Sequence, residues 1–113
     1  MSVVAPFPHP WDRRSTASFD RLEWTRILDL YGRMVAAGHW RDYALRFERV
    51  VAVFAAFRRH SEQPEIRIEK RPQLRLKQGA YALVSAQGVV LRRGHELAGV
   101  LAPLERRFMR LVG

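Results

Sequence analysis

Residues 66–92 read IRIEKRPQLRLKQGAYALVSAQGVVLR, and their alternation decides the fold. Ile66, Ile68, Leu74 and Leu76 all fall on even positions, which predicts one or two strands with an even, inward face, broken near Pro72. The odd face then carries Arg67, Glu69, Arg71, Arg75 and Lys77. Gln78-Gly79 marks a turn. Segments 80–85 and 89–92 flank Ala86-Gln87-Gly88, a three-residue hairpin loop with glycine at the left-handed position.

Upstream, Tyr43, Leu45 and Phe47 alternate with Ala44 and Arg46, the pattern of a strand with one buried face. Residues 50–57 are apolar on both faces and read as a more central strand, joined to the first through a turn near Glu48-Arg49. Before them, Asp20 and Glu23 have capping-box spacing, and Phe19 and Trp24 occupy the staple positions. Trp24, Ile27, Leu28, Tyr31, Met34 and Val35 follow as a stripe, and Gly38 sits where a helix ends. The expected helix covers 20–37. At the far end Leu97, Val100, Leu101, Leu104, Phe108 and Leu111 predict a second helix over 95–111, kinked at Pro103. The expected class is α+β: an antiparallel sheet of about five strands, with an N-terminal and a C-terminal amphipathic helix packed on one face.

The 113 residues suit a single domain over 18–113, preceded by a tail. Residues 1–17 hold Pro6, Pro8 and Pro10 without apolar periodicity, and Phe7 and Trp11 could dock them. The positive charges there follow the apolar stretch, so the segment does not read as a signal peptide. No apolar run reaches the ~18 residues of a membrane span, so no membrane insertion is expected. Absence of cysteine removes disulfides and thiol chemistry and suits a reducing compartment. Net charge is +9, which favours polyanionic partners, and arginine supplies nearly all of it. A GC-rich genome would enrich arginine too.

Two stretches, FDRLEWTRILDLYGRMVAAGHWRDYAL (19–45) and RIEKRPQLRLKQGAYALVSAQGVVLRRGHELAGVL (67–101), resemble an alphaproteobacterial family, domain of unknown function family 2794. LYGRMVAAG, RIEKRP, QGAY and LRRGH carry the likeness, and Pro103 stands outside the pattern. The resemblance implies a bacterial, cytoplasmic protein and brings no activity with it.

Two constellations could bind anions. Arg67, Arg71, Arg75 and Lys77 share strand parity, and a positive sheet face can follow a phosphate backbone. The plain alternative is a solvated face partly neutralised by Glu62, Glu65 and Glu69. Tyr81 is the one nearby ring for base stacking. Arg92, Arg93 and Gly94, with His95, stand where a strand passes into a helix, whose first N–H groups attract anions. There the plain alternative is a turn at Gly94 followed by Glu96 on the helix dipole. His9, His39, His60 and His95 show no local metal-ligand spacing, and Ser15, Ser18, Ser61 and Ser85 show no nucleophile context. His39 and Trp40 read as loop packing. No cofactor, metal or catalytic residue is assigned, and enzyme activity is not expected. The leading reading is a basic module for a polyanion, RNA or DNA. The alternative is a protein–protein module, either a homodimer or an accessory subunit. A third is a small-molecule sensor at the strand-to-helix anion site.

Overall fold

The computed structural model describes residues 16–59 and 63–113. Phe7, Trp11, His9, Ser15, His60, Ser61 and Glu62 lie outside them.

Helix α1 spans Arg21–Ala36. Asp20 caps it: the Glu23 N–H donates to Asp20 Oδ1 (2.9 Å) and the Asp20 N–H to Glu23 Oε1 (2.8 Å), satisfying two donors that a helix start leaves open. The staple is present, with the Phe19 and Trp24 rings stacked at 5.9 Å. Gly38 follows with φ 77°, a left-handed turn that suits glycine. The buried line, however, is Glu23, Ile27, Leu30 and Met34, while Leu28 and Val35 are exposed. Trp24 and Tyr31 lean edge-on against Phe54 (6.1 and 5.8 Å), which turns the helix toward Leu30, a residue absent from the predicted stripe.

Five strands follow: β1 (Asp42–Phe47), β2 (Ala52–Phe57), β3 (Ile66–Lys70), β4 (Tyr81–Ser85) and β5 (Val90–Gly94). They pair antiparallel in sequence order, a plain meander. Helix α2 spans Leu97–Val112 and continues through Pro103. It packs on β4 and β5 and meets α1. There Arg33 makes two parallel bonds to the Glu105 carboxylate (2.8 and 3.0 Å). Both helices bury one side of the sheet, around Phe54, Ile68 and Leu83. The α+β expectation therefore stands.

Three details differ from the sequence reading. The first is β1, expected to bury one face. Tyr43, Leu45 and Phe47 do point to the helix side, opposite Ala56, Phe54 and Ala52, yet remain 40%, 39% and 46% exposed. Two helices, each roughly 10 Å wide, cover about four strands spaced ~4.8 Å apart, so a fifth overhangs. The second is the segment after β3. Pro72–Leu74 is a short 3-10 helix, and Leu76 is 87% exposed. Proline has a fixed φ and no N–H to give a neighbouring strand, so the strand pattern across Pro72 breaks. Third, the buried Ala17 belongs to the core and its N–H donates to the Glu48 carbonyl (2.9 Å).

The turn between Leu74 and β4 is tight. Gly79 has φ 104°, and a Cβ there would lie 2.2 Å from the Gly94 carbonyl carbon. The hairpin glycine, Gly88, has φ 84° and open space around it.

Candidate functional site

Two cross-strand rows lie on the sheet face away from the helices. One runs Arg46, Val53, Glu69, Ala82, Arg93 from β1 to β5; the next holds Ala44, Ala55, Arg67 and Val84. Antiparallel partners share a face, so Arg46, Arg67 and Arg93 stand with Glu69 on one surface. Val53, Ala55, Ala82 and Val84 form a buried aliphatic floor, their short side chains set between long arginine stems of the same rows. A groove of about 320 Å³ crosses this face between Arg46 and Arg67, with Val53, Ala55 and Phe57 along it.

Charge on this face is unbalanced. Glu69 is buried, with Arg67 Nε 3.4 Å from one oxygen and Arg71 Nε 3.5 Å from the other. One carboxylate thus faces two guanidiniums. Arg46 is largely exposed and lies 2.8 Å from Glu48. Arg93 Nη1 is buried and has no hydrogen-bond partner among the described residues. A buried donor without an acceptor costs on the order of 1–3 kcal/mol, more when charged, unless something supplies one.

The residues singled out in the sequence divide accordingly. Arg67, Arg71 and Arg93 come together on this face. Arg75 and Lys77 do not share a strand face with them: Arg75 follows the 3-10 helix and Lys77 lies in the next turn, both exposed. Arg92 is opposite Leu83, which lies in the core beneath the helices, so it faces the other way from Arg93. Gly94 closes β5 against Gly79, and the His95 ring Nδ1 lies 3.0 Å from the Arg75 carbonyl oxygen. Glu96 caps α2 by position but makes no side-chain cap bond. Arg92, Arg93 and Gly94 therefore do not gather at the helix start. Tyr81 lies opposite Lys70 and bonds Glu23, so it supplies no ring to the arginine face. Sequence parity missed Arg46, because only the pairing register joins it to Glu69 and Arg93.

Two polar clusters hold the other side together. Beneath α1, buried Glu23 accepts from Lys70 Nζ (2.7 Å) and from the Tyr81 hydroxyl. Burial, then the Glu23 bond and charge, push the Tyr81 hydroxyl well above its usual pKa. A cleft of about 310 Å³ opens beside them, bordered by Arg26, His95 and Glu96. At the opposite end Glu65 accepts from Trp40 Nε1 (2.7 Å) and from Arg107, which also contacts the His39 ring. Trp40 is buried, as loop packing requires. Among the described residues no three His, Cys, Asp or Glu side chains are grouped to hold a metal ion, and no helix is long and apolar enough to cross a membrane.

The Glu65 cluster makes a pH prediction. Burial opposes the Glu65 charge, but the Trp40 and Arg107 hydrogen bonds and the Arg107 and His39 charges outweigh it and hold its pKa below the usual value. Burial foremost, helped by Arg107 and Arg58 and only partly offset by Glu65, also lowers His39. In both, the unfolded chain binds protons more readily than the fold. Stability is thus present at neutral pH and falls on acidification, first below the ordinary imidazole range and further as Glu65 protonates. Urea midpoints between pH 7 and 3 should fall accordingly, and Glu65→Gln should remove the lower part of the slope. An unchanged slope in that variant would assign the acid response to other carboxylates.

The fold and its arginine face define a class: a five-stranded antiparallel meander with two helices on one side and a basic surface on the other. The chain belongs to a family of proteins of unknown function, DUF2794, whose model matches residues 17–101. No curated protein and no solved structure matches it.

Proposed function

We propose that the protein binds a polyanion, with the sheet face of Arg46, Arg67, Arg71 and Arg93 set against a nucleic-acid backbone. The buried Arg93 nitrogen without an acceptor carries this reading, beside a Glu69 carboxylate that two guanidiniums already share. Phosphate oxygens would supply the missing acceptors, and guanidinium matches them two bonds at a time. The floor between the arginines is aliphatic, and among the described residues this face offers base stacking a single ring, the half-buried Phe57 at one end of the groove. Recognition is therefore of backbone rather than sequence, and most of the affinity is electrostatic.

The test is fluorescence anisotropy with a labelled oligonucleotide across a salt series. Each phosphate contact contributes roughly 0.7–0.9 to the log–log slope, so Arg67→Gln, Arg71→Gln and Arg93→Gln together should flatten it by about 2. Every sequence should weaken alike. Arg75→Gln with Lys77→Gln should change the slope far less. Absence of binding to any RNA or DNA at low salt would refute the reading.

A further inference from the structure

We infer that two copies of this chain pair through β1 to form a continuous ten-stranded sheet, centred on Ala44 against Ala44 of the second copy. This does not depend on the nucleic-acid reading. Among the described residues β1 ends the sheet, and one side of its backbone has no partner strand. The Glu48 N–H donates to the Val51 carbonyl (2.9 Å), which fixes the alternation: even residues of β1 turn their amides to β2, and Tyr43, Leu45 and Phe47 turn theirs outward. The Tyr43 N–H agrees, being taken up by the neighbouring Asp42 carboxylate (2.8 Å) rather than by β2.

Antiparallel pairing through a two-fold axis at Ala44 sets Tyr43 and Leu45 opposite each other, twice. Their outward N–H and C=O groups then exchange bonds directly. On the helix side the same register joins the two apolar overhangs. On the other side it puts Asp42 opposite Arg46, again twice. An axis at Leu45 would instead place Asp42 against Glu48, and one at Tyr43 would pair no opposite charges. One self-complementary register thus satisfies backbone, apolar and charged groups together. The overhang continues onto α1, where Tyr31 meets Tyr43 at 5.0 Å and Leu28 and Val35 are exposed along the same flank. The opposite edge is guarded: β5 is bulged opposite Leu83/Val84 and carries Arg92 and Arg93, which repel a second copy.

Size-exclusion chromatography with light scattering over a concentration series tests this on the full chain. The wild type should reach twice 13.2 kDa. Leu45→Pro removes an outward N–H that the monomer does not use, and should leave a folded monomer. Asp42→Arg replaces both attractions with repulsions and should weaken the dimer roughly tenfold. Adding Arg46→Asp to that chain restores opposite charges and should restore the dimer. Should Leu45→Pro fail to fold, the charge reversal and its rescue still decide. A wild type that stays monomeric at its highest soluble concentration, or a dimer indifferent to the charge reversal, overturns the proposal.

Discussion

Gly79→Ala is expected to cost about 4 kcal/mol, or to prevent folding altogether, although it adds one methyl group. Two effects combine. Gly79 holds φ 104°, where any side chain is strained. The new Cβ would also lie 2.2 Å from the Gly94 carbonyl carbon and 2.3 Å from its oxygen, and backbone cannot swing aside as a side chain can. Relief requires the turn before β4 to part from the end of β5, where the chain enters α2. Gly88→Ala is the control. Its φ is 84° with nothing nearby, so only the conformational cost applies, about 1 kcal/mol. At ~4–8 °C per kcal/mol, the two melting temperatures should differ by at least 10 °C or so. Equal effects would mean that the Gly79–Gly94 approach is slack.

Lys70→Met should cost about 3 kcal/mol, the scale of breaking a buried ion pair from one side. Lys70 and Glu23 are 17% and 9% exposed in their side chains, with Nζ 2.7 Å from Oε1. Without the ammonium, Glu23 keeps its charge under α1 with only the Tyr81 hydroxyl and the Asp20 N–H as donors. Replacing Glu23 by Gln as well removes the stranded charge: its one carbonyl oxygen can accept from the Asp20 N–H while its amide N–H donates to the Tyr81 hydroxyl oxygen. The double variant should recover about half the loss, because the penalty belongs to the unpaired carboxylate more than to the missing bond. Urea denaturation of the four proteins closes the cycle. Additive losses would show that Lys70 acts by packing its stem alone.

Local signals carried much of the fold. Asp20 with Glu23, Phe19 with Trp24, and Gly38 each act within a few residues, and each feature is present as its spacing predicts. The second helix likewise follows its stripe from Leu97 to Leu104, with Phe108 partly buried and Leu111 exposed at its end. The arginine face was half legible. Arg67 and Arg71 share parity within a short stretch, but Pro72 ends that parity before Arg75 and Lys77. Arg46 and Arg93 join the face only through strand register, which no single stretch encodes. Glu23 shows the same limit: its spacing announced a helix cap, while its bonds to Lys70 and Tyr81 depend on residues 47 and 58 positions away.

The meander also bears on how the chain reaches this state. Each strand pairs with its sequence neighbour, so the sheet grows by successive closures of modest loops, each with a small entropic cost. The distant closures come late by nature, among them Glu23 to Lys70 and Tyr81, Arg33 to Glu105 between the two helices, and Arg107 to His39 and Glu65. Strand pairing between sequence neighbours favours quick formation of the sheet relative to a topology with crossovers. The two helices, at opposite ends of the sequence, then act as the latch that makes an otherwise sequential assembly cooperative.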